Sequence, residues 1–190
     1  MCVFCGSSAG TSPAFTDAAA AVARELVTAN LDVVYGGNAR GLMGTLADVA
    51  MDAGGSVTGV LPTVLFDVEM PHSGLTRLVE VGSMHERKQR MYELADAFVG
   101  LPGGLGTLEE VAEIATWSQL GVHDKPIVLL DLHGFWGPLL GWLDHAVEAG
   151  FIKPANRSII ASVSTPGEVV PALRAYRRHG GRAVLSEAET

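Results

Sequence analysis

Two stretches, MHERK at 84–88 and LPGGLGTLEE at 101–110, hold the residue types that could act on a charged ligand. In the run from Met84 to Ala95, residues Met84, Arg87, Lys88, Met91, Leu94 and Ala95 fall on one side of a helix. His85, Glu86, Gln89, Arg90, Glu93 and Asp96 fall on the other, so the buried face is the one that carries two cations. Either their aliphatic stems run along the surface to solvent, or their heads meet an anion in a pocket, Arg87 as a planar fork and Lys88 as a point charge. The second stretch sets Gly103, Gly104 and Gly106 between an apolar strand and a helix, where the N–H groups from Gly104 to Thr107 and the helix dipole suit a phosphate. Two carboxylates follow at once. Thr107 and Glu110 have capping-box spacing, in which the hydroxyl accepts an N–H three residues on and the glutamate reaches back. Glu110 also lines up with Ile114 and Trp117, whereas Glu109 lines up with Glu113 and Thr116, so Glu110 is the more inward. Spacing leaves Glu110 as either a cap or a reacting carboxylate.

The elements that must position these residues alternate. Strand-like runs at Cys2–Cys5, Asp32–Tyr35, Ser56–Leu61, Arg77–Val81, Phe98–Leu101, Ile127–Asp131 and Ser158–Val163 are separated by helical patterns at 13–29, 42–53, 84–95, 108–120 and 135–149, with a last one at 167–177. This rhythm predicts a single-domain, Rossmann-like α/β fold: a doubly wound parallel sheet with helices on both faces. Residues 1–180 are read as one nucleotide-binding domain and 181–190 as a polar tail that frays. Such sheets bind ligands beyond the carboxyl ends of their strands, where strand order reverses. Three small-residue loops stand there: Gly6-Ser7-Ser8-Ala9-Gly10, the run from Gly36 to Gly44, and Pro102 to Thr107. One such loop is as readily a tight turn as a ligand site; three after core strands point to a nucleotide or another phosphorylated ligand. None carries G-x-G-x-x-G or G-K-[ST], which argues against hydride transfer and nucleoside triphosphate hydrolysis and leaves a nucleoside monophosphate.

The 190 residues, 48% of them hydrophobic, suffice for one sizeable core. A net charge of -8 argues against nucleic acid or an anionic membrane as partner, since both need a basic surface. The absence of a long apolar run or a basic leader predicts a soluble, cytoplasmic chain. The first strand begins almost at residue 1, so a short further N-terminal segment is expected. Cys2 and Cys5 form a C-x-x-C, read as two buried thiols on a strand rather than a redox pair, and no second Cys/His cluster completes a metal site. His85 is expected in solvent, His123 in a loop entering a strand, His133 and His145 on the surface, and Trp136 and Trp142 in helix packing.

Met84-His85-Glu86-Arg87-Lys88, followed by Pro102-Gly103-Gly104-Leu105-Gly106-Thr107-Leu108-Glu109-Glu110, resembles the paired M-H-x-R-K and P-G-G-x-G-T-x-x-E motifs of the LOG ("Lonely guy") family. Its members are cytokinin riboside 5'-monophosphate phosphoribohydrolases, often labelled lysine decarboxylases on the glycine motif alone. The likeness runs from Cys2 to Ser8, through Tyr35-Gly36-Gly37, Gly41 to Gly44 and Gln119 to Pro126, to Glu148 to Ile152; Asn38 stands where relatives often have a third glycine. The resemblance implies hydrolysis of the N-glycosidic bond of an N6-modified AMP, or of AMP, to free base and ribose 5-phosphate. It implies no metal or organic cofactor, and a homodimer. Arg87 and Glu110 match its catalytic pair. Lys88, Gly103, Gly104, Leu105, Gly106, Thr107 and Glu109 match substrate-binding positions, and Glu69 and Thr116 match further substrate contacts. In that role Glu110 would stabilise a cationic ribose or draw a proton from water, with Arg87 orienting it and offsetting negative charge. No residue is marked as the acid for the leaving base. A pyridoxal-dependent decarboxylase would need a Schiff-base lysine and a partner for the ring nitrogen, and Lys88 is the only lysine on a plausible site face. A non-catalytic nucleotide sensor or carrier would use the same loops and release no base.

Overall fold

Short apolar, β-rich runs form the strands of a computed structural model that describes residues 1–66 and 69–177; the 181–190 tail and the end of the expected 1–180 domain lie outside the described residues. The chain runs β1 (Cys2–Phe4), α1 (Pro13–Thr28), β2 (Val33–Tyr35), α2 (Gly41–Asp52), β3 (Val57–Pro62) and β4 (Arg77–Val81). It continues with α3 (Met84–Glu93), β5 (Phe98–Gly100), α4 (Leu105–Leu120), β6 (Ile127–Leu130), α5 (Gly137–Glu148), α6 (Pro154–Arg157), β7 (Ile160–Val163) and α7 (Val169–Ala175). The strands form one all-parallel sheet in the order β4-β3-β2-β1-β5-β6-β7. Strand order reverses between β1 and β5, where Cys2 sits beside Phe98. That reversal opens the crevice in which doubly wound sheets bind ligands.

Both faces of the sheet are covered, as the alternating pattern predicts. On one, Val3, Tyr35 and Val99 meet α1, α2 and α7 through Val22, Leu26, Leu46 and Val169. On the other, Phe4, Val60, Phe98 and Leu129 meet α3, α4 and α5 through Met91, Val111, Ile114 and Leu143. Local signals set several helix starts: Ser12 accepts from the Ala14 N–H with Pro13 in the first turn of α1, and Ser83 accepts from the Glu86 N–H at α3.

Four elements depart from expectation. Helix α4 begins at Leu105, three residues early, with Gly104 as its N-cap. Helix α5 starts at Gly137 after a 3₁₀ turn at Leu132–Gly134, and α7 is shortened by a 3₁₀ turn at Pro166–Glu168 that carries its own Thr165/Glu168 capping box. The four-residue α6, opened by Pro154, is too short to leave a periodic pattern. Among the described residues, parallel neighbours β3 and β4 are joined without an α-helix, the connection opening with a 3₁₀ turn at Thr63–Leu65. Among the described residues no helix is long and apolar enough to cross a membrane.

Candidate functional site

The loops after β1 and β5 touch through their backbones at the point of strand reversal. The Gly6 N–H donates to the Pro102 carbonyl at 3.1 Å. A side chain on Gly103 would bring a Cβ to 2.1 Å from Thr107 Oγ1 and 2.9 Å from the Gly6 nitrogen, so only glycine permits this approach. The turn Gly103-Gly104 therefore starts α4 sooner than the T-x-x-E spacing suggests. Thr107 is the third helical residue, not the cap, and Glu110 lies a turn further in, so the capping-box reading of this pair is corrected. The N–H groups of Leu105, Gly106 and Thr107 occupy the first turn, where no intrahelical acceptor exists.

Beside that turn lies a cleft walled by Cys5, Ser7, Met43, Glu69, Arg87 and Glu110. Arg87 is 3% exposed and Glu110 7%. Helix α3 delivers the arginine from the apolar stripe, one turn above buried Met91. Arg87 Nη2 donates to the Gly36 carbonyl at 2.9 Å and stands 3.7 Å from Glu69 Oε2. Arg87 Nε and Glu69 Oε2 are both buried without a hydrogen-bond partner, a donor and an acceptor facing one cleft. Burial pushes the Glu110 carboxyl up to about 7; Arg87 opposes that shift, Glu109 and Glu69 add to it, and Lys88 weakly opposes it. Glu110 can thus change charge near neutrality, beside a fixed cation and one turn from the open N–H groups at the start of α4. Cys5 is no nucleophile here, because burial and then the Glu110 charge raise its thiol well above the ordinary range.

The sequence-derived residues divide by place. Glu69, Arg87, Glu110 and the turn from Gly104 to Thr107 come together in the cleft, while Gly103 lines the adjoining hollow with the β1 loop. Lys88 lies on the flank, where it bonds Glu109 and, at 2.9 Å, Glu113; the Glu109 bond is the leading reason its ammonium is held above the ordinary lysine range. Glu109 lines the rim of the cleft from that pair. Thr116 lies away from the cleft: its hydroxyl donates to the Ala112 carbonyl at 2.7 Å, and it borders an apolar hollow between α4 and α5. One expectation outside the cleft is corrected: Trp142 is not packed but 59% exposed over that hollow. His123 lies in the loop entering β6, as expected, and is buried there, with Nε2 at 2.8 Å from the Ile114 carbonyl.

Sequence reasoning missed Gly36 as a site residue, although it had placed the Gly36–Gly44 loop at the right edge. A Cβ there would stand 2.0 Å from Arg87 Nη2 and 3.3 Å from the Met43 terminal methyl. Both obstacles are ends of flexible side chains, so Gly36→Ala is expected to fold normally while pushing the guanidinium aside. The expected loss in kcat/KM is about a hundredfold, with a thermal midpoint close to wild type; unchanged kinetics would show that the carbonyl contact is idle.

The fold and the cleft define a Rossmann-like α/β protein with a glycine-rich helix start set beside a buried arginine and carboxylates. Residues 43–173 match the family model described as "Possible lysine decarboxylase". Over 177 residues, 93% of this chain and 78% of the relative, it is 46% identical to cytokinin riboside 5'-monophosphate phosphoribohydrolase LOG5 of Arabidopsis thaliana. Over 176 residues, again 93% of this chain and 78% of the relative, it is 47% identical to the probable cytokinin riboside 5'-monophosphate phosphoribohydrolase LOGL9 of Oryza sativa subsp. japonica. The chain belongs to the LOG family. Among solved structures it is similar to the molybdenum cofactor carrier protein MCP of Chlamydomonas reinhardtii, with a TM-score of 0.70 and 20% identity over 91% of this chain and 94% of that one; this likeness concerns the fold alone.

Proposed function

We propose that this chain hydrolyses the N-glycosidic bond of N6-modified adenosine 5'-monophosphates, and of AMP, to the free base and ribose 5-phosphate. The observation that carries the reading is the buried Arg87–Glu110 pair, with a carboxyl poised at about 7, one turn from the open N–H groups of α4. The phosphate rests on the N–H groups of Leu105, Gly106 and Thr107 with the helix dipole behind them. That contact leaves the ribose over Glu110. As the bond from the anomeric carbon to the purine breaks, its electron pair leaves on the base and positive charge builds on the sugar. Ionised Glu110 stabilises that charge and takes a proton from the water that adds to the anomeric carbon. The base takes up a proton as it departs. Arg87 favours the ionised form of Glu110 against the burial that raises its carboxyl, and Glu69 accepts from a ribose hydroxyl.

The reading extends to a cytoplasmic homodimer. Cys2 and Cys5 are free thiols, as a reducing compartment maintains. Trp142 and the 88% exposed Phe151 project near the apolar hollow between α4 and α5, a face suited to a second copy and bordered by Thr116. The test is chromatography of AMP and N6-isopentenyl-AMP after incubation with the protein, whose particles light scattering is expected to size as two chains. Free base and ribose 5-phosphate in equal amounts are expected. Tight AMP binding with no base released would favour a nucleotide sensor or carrier instead, and single-chain particles would remove the dimer.

A further inference from the structure

The segment that brings Glu69 to the cleft belongs to no helix or strand. Just beyond Glu69, from Met70 to His72, the chain lies along the loop that follows β2. The Ala39 N–H donates to the Met70 carbonyl at 2.9 Å, the His72 N–H donates to the Gly37 carbonyl at 3.0 Å, and Asn38 pairs with Pro71 as an isolated antiparallel bridge. Asn38 is itself braced, its side-chain oxygen accepting from the Arg40 N–H at 2.9 Å. The same β2 loop supplies the Gly36 carbonyl that holds Arg87. One unit of backbone therefore sets Arg87 from one side and Glu69 from the other.

The His72 ring fastens the far end of this strap. Its Nδ1 accepts from the Gly74 N–H at 3.1 Å, which places the proton of the neutral ring on Nε2. That nitrogen donates to Asp48 Oδ1 of α2 at 2.9 Å. The ring is 11% exposed and the carboxylate 63%, so Asp48 reaches from solvent to tie an inner ring to a rigid helix. We propose that His72, anchored by Asp48, is a positioning residue for nucleotide binding: it fixes the turn of the strap so that Glu69 Oε2 stays beside Arg87, ready to accept from a ribose hydroxyl. The proposal rests on the reading that Glu69 contacts the nucleotide.

Steady-state kinetics with AMP on wild type, His72→Ala, Glu69→Ala and the double variant test it, beside calorimetric titration with ribose 5-phosphate, which needs no turnover. Loss of one hydrogen bond to a charged group implies that His72→Ala raises KM and the ribose 5-phosphate Kd about tenfold with kcat within about twofold. On the Glu69→Ala background the same substitution is expected to add less than about twofold, because the group it positions is gone. Asp48→Ala, at an exposed position that leaves the strap intact, is expected to act in the same direction even where His72→Ala folds poorly. Asp48→Asn, which still accepts from Nε2–H, is expected to restore binding. Effects of His72→Ala and Glu69→Ala that simply multiply, or an Asp48→Ala variant with wild-type KM and Kd, would overturn the clasp while leaving the Glu69 reading intact. A Glu69→Ala variant with wild-type KM would overturn both.

Discussion

Replacing Glu110 by glutamine is expected to lower kcat about a thousandfold and, at pH 8, to make the folded chain more stable. The two effects have one cause. Glu110 is 7% exposed in the cleft it shares with Arg87, and burial lifts its carboxyl from an ordinary 4.5 to about 7. Between those values the folded chain keeps a proton that the unfolded chain has released, so stability falls as pH rises from 4.5 to about 7 and stays low above it. The displacement corresponds to about 3 kcal/mol, which is an upper bound on the gain from a neutral side chain of the same shape. Near pH 5 the wild-type carboxyl is already neutral, and the two proteins are expected to melt together. Thermal scans from pH 5 to pH 8 check this: a gap that opens with rising pH is expected, and a gap independent of pH would sink the account. In kinetics, wild-type kcat/KM is expected to rise with pH through about 7 as the carboxylate forms.

Removing the cation beside it has a different signature. Arg87→Ala is expected to reduce kcat/KM about a thousandfold and to move the rising limb of the pH profile to higher pH, because Arg87 is the leading force that opposes the raised Glu110 carboxyl. It also strips the Gly36 carbonyl of its donor and leaves Glu69 without the cation it faces. Arg87→Lys separates charge from shape. An ammonium keeps the limb near its wild-type position but cannot bond Gly36 and face Glu69 as a planar fork does, so its rate is expected to stay well below wild type. A limb unmoved in Arg87→Ala would mean that the two groups are not electrostatically coupled.

The features most legible in the sequence were those with a period. Strands and helices alternate at close to their expected bounds because each buries a face, and Arg87 stood out as a cation on an apolar stripe. Glu110 was placed inward by its line with Ile114, and both are buried. What stayed hidden depended on contacts between distant segments. The T-x-x-E signal at Thr107 was overruled by the close approach of Gly103 to the β1 loop, which starts α4 early. Lys88 carries no mark in its own helix of the two glutamates it meets on α4. The path of the Glu69 strap follows backbone bonds to Gly37 and Ala39, which no side-chain pattern records. Trp142 reads as a core residue by type, yet its helix turns it outward.

The contact between the loops after β1 and β5 also bears on how the chain becomes competent. Residue 2 pairs with residue 98, and the Gly6–Pro102 bond continues that pairing into the loops. Contacts of such long sequence separation carry the largest loop-closure cost and tend to form late. The glycine-rich turn at the head of α4 is therefore shaped only after the first strand has found the fifth. A nascent chain that ends before β5 holds the glycines and serines of its first loop with nothing to close against, so the cleft takes shape with completed assembly of the central sheet rather than with any local motif.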